Sequence, residues 1–484
     1  MYHSRLAFAL AMAGLAAILV PSSLKAQITF QRTYGGVYDD VGFSVQQTTD
    51  GGYVIAGTTW HSELYNCDAY LIKTDIHGDT QWTRTFGGAG NDEAYSVRQT
   101  TDGGYVLAGY IDSLAAGGKN VYLVKTNSQG NTTWTRTFGG TGEDLGRSVW
   151  QTGDGGYVTT GTMQLYGTGH LKVCLIKTDA NGESLWTRIY GNTLDNEGFS
   201  VEQTNDGGYV VTGYVWPDTG PESEVFLAKT DSIGDTLWMR TFGRLGAGFS
   251  VQQTDDRGYV IAGFFYGANH NHDICLVRTD SNGDTLWTKA YGGTAYDEAT
   301  SVQQTDDGGF VITGATNSFG SGELDVYVIK TNAVGDTLWT RRYGDGEGYS
   351  VQQTADGGFI VCGYKYGANE DVCLIKTDSL GNVAVAEPKA SPTRTPELSI
   401  SCEPSPCRGA TTIRVSPRAS RFSPLSLRMC DSQGRLVRTF TVNRTSCTVW
   451  DGTDDTGRAL PSGTYFVMLD ADCLHAAARL VLQR

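Results

Sequence analysis

Ser44-Val45-Gln46-Gln47-Thr48-Thr49-Asp50-Gly51-Gly52-Tyr53 is the stretch that decides how this 484-residue chain folds. It returns with its serine at 96, 148, 200, 250, 301 and 350, at intervals of 52, 52, 52, 50, 51 and 49 residues. So even a period marks a repeat architecture, in which one supersecondary unit is used over and over. A second landmark follows the first six copies: Lys73-Thr74-Asp75, then Gly78, Trp82 and Phe86-Gly87, with Trp134, Trp186, Trp238, Trp287 and Trp339 in the later units.

Working outward, each unit reads as four short strands. One holds Ser-Val-x-Gln-Thr, one Tyr53-Val54-Ile55-Ala56, one Tyr70-Leu71-Ile72-Lys73, and one Trp82 to Phe86. Asp-Gly-Gly and Asn-Gly or His-Gly turns separate them. The second and third strands are almost continuously apolar, as in a sheet packed on both faces. No stretch holds a helical period. Four antiparallel strands per unit of about 50 residues favour a propeller blade over a solenoid turn. The expected fold class is therefore all-β: a seven-bladed β-propeller of four-stranded blades over residues 27–386, followed by a small Ig-like β-sandwich.

The start of the repeat region matches the Trp strand, with Phe30 of Ile28-Thr29-Phe30-Gln31-Arg32 in the Trp place, and the seventh unit has no Trp strand of its own. The N-terminal strand is thus placed to complete the last blade and cover an open edge. Asn382 to Glu387 competes for that slot.

Residues 1–26 read as a signal peptide: Arg5, an apolar run from Leu6 to Val20, then Pro21 and a cleavage point after Ala26. The apolar run is short for a spanning helix, and no other stretch could cross a membrane as one. The formal charge is −15, and residues from Ser391 onward hold 12 Arg against 8 acidic residues, so the repeat region is the acidic part. A surface of that sign repels nucleic acid. Export also permits disulfides among the ten cysteines, and Cys362 and Cys373 lie in adjacent strands.

The repeat resembles the tryptophan-docked repeats of the quinoprotein-like superfamily, where Asp, Gly and a following Trp tie adjacent blades. Asp280, Gly283 and Trp287 carry that pattern, with a shorter Asp-to-Gly interval. It is similar, more closely, to the Asp-Gly-Gly-Tyr and Lys-Thr-Asp repeats of bacterial secreted propellers. The resemblance implies architecture and is nearly silent on activity; the adjacent cysteines of the quinoprotein enzymes are missing.

Repetition also bears on every candidate site. Asp280-Ser281-Asn282-Gly283-Asp284 has calcium-like spacing, but other units fill the Asn282 place with Ile233, Val334 or Leu380, so turn chemistry explains it. The Asp of Asp-Gly-Gly recurs in all seven units and reads as a turn residue, with an acidic ring for cations as the alternative. No nucleophile elbow, phosphate loop or metal-type His spacing appears, so no catalytic residue, cofactor or metal is expected. What varies is the segment between the second and third strands named above, which strand alternation puts on one face. It carries Trp60, His61, Tyr65, Tyr166, His170, Trp216, Tyr266, His270, His272 and Tyr366. An aromatic rim of this kind suits a glycan or protein ligand.

Residues 387–397, with Pro388, Pro392 and Pro396, read as a semi-rigid linker. From Leu398 the repeat is gone. Asp431-Ser432-Gln433-Gly434-Arg435, Trp450-Asp451-Gly452-Thr453-Asp454, Ser462-Gly463-Thr464-Tyr465-Phe466 and the basic-ended tail to Arg484 resemble the Ig-type domain of flagellar hook-capping proteins and the C-terminal sorting domain of type IX secretion cargo. That resemblance implies secretion machinery as a partner and delivery to the outer cell surface or medium. The resulting expectation is an exported, non-catalytic binding or adhesion protein. An enzyme with a site in the central channel and a purely structural surface-layer component are the alternatives.

Overall fold

The computed structural model describes residues 27–383 and 400–484, apart from 62–65, 114–116, 166, 168, 218–222, 244–245, 267–270, 320–321, 368, 404, 406, 408, 416–424, 432–434, 443–446 and 472–473. The signal-peptide and linker expectations lie outside the described residues. The described chain is all-β, without a helix, and separates into two compact units divided at Ala386/Glu387.

The first unit opens with β1 (Phe30–Tyr34), followed by β2 (Asp40–Gln47), β3 (Tyr53–Trp60), β4 (Cys67–Thr74) and β5 (Thr80–Phe86). β2 to β5 form one antiparallel sheet in sequence order, and each later repeat builds the same arrangement. The two middle strands are buried almost throughout, whereas β5 alternates exposed and half-buried residues and forms an outer edge. Apolar runs in the middle and alternation outside follow from which faces meet other sheets.

Five separate four-stranded sheets arise in this way, with a sixth of seven strands. In that sixth sheet Thr337–Gln353 is one 17-residue strand, which pairs with Asp325–Thr331 through its first half and with Phe359–Tyr366 through its second. Seven separate sheets were expected. Two of them are joined because the shortest repeat interval, 49 residues, leaves only Gly344-Asp345-Gly346 to turn the chain.

β1 answers the question left open at the seventh repeat. It pairs antiparallel with Glu370–Thr377, Phe30 opposite Lys376 and Tyr34 opposite Val372, and so occupies the edge for which Asn382 to Glu387 competed. Val383 packs instead beside the core of Val311, Val328, Phe359 and Val361.

Adjacent repeats are tied by the same contacts each time. Ser44 Oγ accepts the Val97 N–H (3.2 Å), and the pattern runs through Ser96, Ser148, Ser200, Ser250 and Ser301 to Ser350, which accepts the Val45 N–H (3.3 Å). The last link joins the seventh repeat to the first. A second circuit uses the final glutamine of each Ser-Val-x-Gln: Gln99 accepts from Thr49 N, and so on to Gln47, which accepts from Ala355 N at 2.9 Å.

The tryptophans complete the seam. Trp82 meets Tyr105 of the next repeat edge-on at 5.8 Å, and a Cβ at Gly130 would fall 2.6 Å from the Trp82 ring. Only glycine fits there, at φ +75°, against an indole. Phe30 takes the same place against Tyr53 (6.0 Å) and Gly78.

The second unit holds a three-stranded sheet (Ile400–Glu403, Thr411–Val415, Cys447–Trp450) and a four-stranded one (Leu425–Asp431, Leu436–Val442, Gly463–Ala471, Leu474–Leu482). Both bury into one core of Ile413, Leu427, Met429, Trp450, Tyr465, Val467 and Leu480. Trp450 is fully covered and donates its Nε1–H to the Thr453 carbonyl (2.8 Å), so the Trp-Asp-Gly run is a folded corner around an indole.

Candidate functional site

At the turn end of the repeats, the ionic groups serve structure. Asp50 accepts hydrogen bonds from Thr48 Oγ1 (2.5 Å) and Gly52 N (2.9 Å), and its other oxygen meets Lys73 Nζ at 2.9 Å. Equivalent pairs join Asp102–Lys125, Asp154–Lys177, Asp206–Lys229, Asp256–Arg278, Asp307–Lys330 and Asp356–Lys376, at 2.5 to 3.0 Å. The cations are buried and the carboxylates reach solvent. Burial alone would raise these acids, but the Thr, Lys and glycine N–H donors outweigh it and lower Asp102, Asp154 and Asp206 to about 2. A carboxylate already committed to a buried lysine is poorly placed to bind a free cation. The Asp280 turn is equally self-contained: Oδ1 accepts from Asn282 N and Asp284 N. Among the described residues no group of three His, Cys, Asp or Glu could hold a metal ion. Eight described cysteines, Cys362 and Cys373 included, are free thiols.

The rim residues fall into local groups. His61 Nε2 lies 2.8 Å from Asp68, and Trp60 N–H donates to the Asp39 carbonyl. His170 Nδ1 lies 3.0 Å from Asp195, whose backbone carbonyl accepts the Trp216 N–H, so a loop residue of two repeats converges on one aspartate. His272 stacks flat on Phe264 (4.0 Å), with Tyr266 at 4.5 Å and Tyr296 at 4.7 Å, and Nδ1 is 3.4 Å from Glu298. Tyr366, exposed at 45%, shares a 3.0 Å hydroxyl contact with Tyr364. Tyr65, Tyr166 and His270 lie outside the described residues. The contacts bring Tyr266 and His272 together and do not join them to Trp60, His61 or Tyr366.

Sequence reasoning passed over four carboxylates held by tyrosine hydroxyls, of which Glu298 touches the His272 group. Glu298 accepts from Tyr296 (2.5 Å), Glu347 from Tyr349 (2.9 Å), Glu93 from Tyr110 (2.9 Å) and Glu197 from Tyr214 (2.7 Å). Burial pushes the Glu347 carboxyl above its ordinary range, against the pull of the Tyr349 and Tyr364 hydroxyls.

A second feature was also missed. A cavity of about 350 Å³ is lined by the Ser-Val-x positions of the repeats, including Ser44, Gln46, Ser96, Arg98, Trp150, Ser200, Glu202, Gln252, Gln303 and Gln352. The x position reads Gln46, Arg98, Trp150, Glu202, Gln252, Gln303 and Gln352 along the chain. Where it is glutamine, its Oε1 accepts a backbone N–H of the following repeat: Gln46 from Gln99, Gln252 from Gln304, Gln303 from Gln353, and Gln352 from Gln47, at 2.5 to 2.7 Å. Glu202 keeps that bond, to Gln253 N at 2.6 Å. Arg98 and Trp150 carry no acceptor and break the circuit.

The Arg98 guanidinium lies 4.3 Å from the Trp150 ring, a cation–π distance. Burial lowers its pKa, and burial raises the Glu202 carboxyl to about 7, partly opposed by the Gln253 N–H and the Arg98 charge. Aligning the repeats on their serines would have exposed the three unlike residues. They were hidden because the motif, taken as Ser-Val-x-Gln, averages over that column.

No protein-family model matches the chain, and no curated protein does. Among solved structures, the chain is similar to PorZ, described as an essential bacterial surface component of the type-IX secretion system of Porphyromonas gingivalis, at 11% identity and a TM-score of 0.38, covering 90% of this chain. The chain spans 58% of the length of that protein. Sqt1 from Chaetomium thermophilum matches at 10% identity and a TM-score of 0.42, over 72% of this chain and 99% of its own. A Bacteroides caccae protein of unknown function matches at 13% and 0.35, over 60% and 93%. Likeness this distant carries neither a partner nor an activity to the present chain. No helix among the described residues is long and apolar enough to cross a membrane.

Proposed function

We propose that the first unit is a propeller of seven repeats wrapped into a ring, and that the chain is an exported, non-catalytic binding protein that presents the loop end of that ring to a glycan or protein. The observation that carries the reading is the seam. Seven serine-to-valine hydrogen bonds connect successive repeats and return from Ser350 to Val45, so the last repeat meets the first as any other pair meets. The uniform turn end has its ionic groups saturated within each repeat, whereas the loop end differs from repeat to repeat in aromatic and histidine content. Variation displayed on a rigid scaffold is how loops acquire binding roles.

The C-terminal unit is read as a sorting domain on its Trp450-Asp451-Gly452 corner and basic-ended last strand. Deleting residues 398–484 in a type IX-competent host and locating the product tests this, and unchanged surface delivery contradicts it. Glycan-array and cell-adhesion assays on the full chain test the rim. Tyr266→Ala/His272→Ala should reduce any signal, and an unaffected signal removes that group from the site. One observation favours a second reading, an enzyme with a central site: Arg98, Trp150 and Glu202 are unlike residues brought to one cavity.

A further inference from the structure

We infer that the cavity walled by Arg98, Trp150 and Glu202 is a binding site for a small hydroxylated carboxylate, of the sugar-acid kind. This does not rest on the rim reading, and either can fail without the other.

The inter-repeat bonds leave a particular set of groups over. Each cavity glutamine uses its Oε1 on a neighbouring backbone N–H, which turns the amide Nε2 donors loose; those of Gln46, Gln252, Gln303 and Gln352 have no partner among the described residues. The repeat serines likewise accept the valine N–H and keep their own O–H to donate. Joining repeat to repeat therefore consumes acceptors and leaves a wall rich in donors. Such a wall suits a solute rich in acceptor oxygens.

Arg98 supplies the charge. Among the described residues its guanidinium makes no hydrogen bond and no ion pair; its contact is the Trp150 face at 4.3 Å. Held over the ring with its N–H groups unbonded, the guanidinium keeps the donors that grip a carboxylate. Two repeats further on, Glu202 has one oxygen on Gln253 N and the other available to a ligand hydroxyl. About 350 Å³ accommodates a monosaccharide-sized molecule and is far more than a bare inorganic anion fills. The largely polar lining disfavours an apolar ligand.

The departures are also cheap to reverse, which makes the site testable without unfolding it. Arg98→Gln installs the residue that four other repeats use and offers Gln151 N the acceptor its counterparts have. Arg98 and Glu202 are the only charged residues lining the cavity among those described. With Glu202 losing its proton near pH 7, an anion should bind more weakly as its negative charge develops.

The test is isothermal titration of the full chain with D-glucuronate, D-glucose and inorganic phosphate. Glucuronate should bind, glucose at least about tenfold more weakly, and phosphate weakly if at all. Arg98→Gln, checked for native circular dichroism, should lose about tenfold or more for glucuronate. Affinity of the parent should fall between about pH 6 and about pH 8, and Glu202→Gln should flatten that profile. No heat with glucuronate at millimolar concentration, an Arg98→Gln protein that binds like the parent, or phosphate binding equal to glucuronate would each overturn the inference.

Discussion

Gln46 and Arg98 occupy the same place in consecutive repeats, on the same kind of strand, facing the same cavity, yet only one of them hydrogen-bonds to the backbone of the neighbouring repeat. Gln46 accepts the Gln99 N–H at 2.6 Å, whereas Arg98 accepts nothing and stacks on Trp150. Four repeats keep the glutamine, and three consecutive ones carry Arg98, Trp150 and Glu202 instead. The serine seam is intact in all seven. The contrast teaches that in a repeat protein the shared column holds the scaffold together, and the broken column shows where something else was required.

The comparison can be broken first on its scaffold side. Phe30→Ala empties the indole-like place where β1 meets the first repeat. Phe30 is 4% exposed and packs with Tyr53, Ile55 and Leu374, so the loss should be about 3–4 kcal/mol in urea unfolding. A loss below about 1 kcal/mol would mean that the last-to-first seam is not a source of stability.

Next is the ionic turn. Asp154→Ala leaves Lys177, with 4% of its side chain exposed, without its carboxylate. Because the aspartate itself reaches water, the cost should be about 2–3 kcal/mol, below that of a fully buried pair. The same acids set the acid limit. Their folded pKa is depressed to about 2 in Asp102, Asp154 and Asp206, so their contribution is complete above the unfolded value near 4 and lost as pH falls from about 4 to about 2. A circular-dichroism acid titration should place the transition in that window, and a transition near neutrality would contradict the assignment.

Smaller effects sharpen the functional side. Glu202 has a raised folded pKa, so the native state holds its proton to higher pH than the unfolded chain does, and stability declines as pH rises from about 4.5 to about 7. Glu202→Gln should therefore stabilise the protein by about 1–2 kcal/mol at about pH 8, discounted for the water the cavity admits, and little at about pH 5. Equal effects at both pH values would place the carboxyl in ordinary solvent.

Much of this was legible beforehand. Strand positions, the Asp-Gly-Gly turns, the Phe30 strand and the packing role of the tryptophans follow from local pattern, because each repeat states the same rule again. The joined sheet over Thr337–Gln353 was not, since it depends on a turn too short to separate neighbouring strands. Nor were the lysine partners of the aspartates: Asp50 and Lys73 are 23 residues apart and meet only when the middle strands pair in register. The rim histidines were visible as types, but their companions Phe264, Glu298 and Asp195 come from other segments. The cavity residues stood in plain view and were masked by averaging.

The most direct test of the account is one preparation, Arg98→Gln/Glu202→Gln, followed by thermal unfolding and glucuronate titration at about pH 7. The account predicts a protein at least as stable as the parent, with its glutamine circuit extended, that no longer takes up the sugar acid. A destabilised protein that still binds it would show that these two residues belong to the scaffold and not to a site.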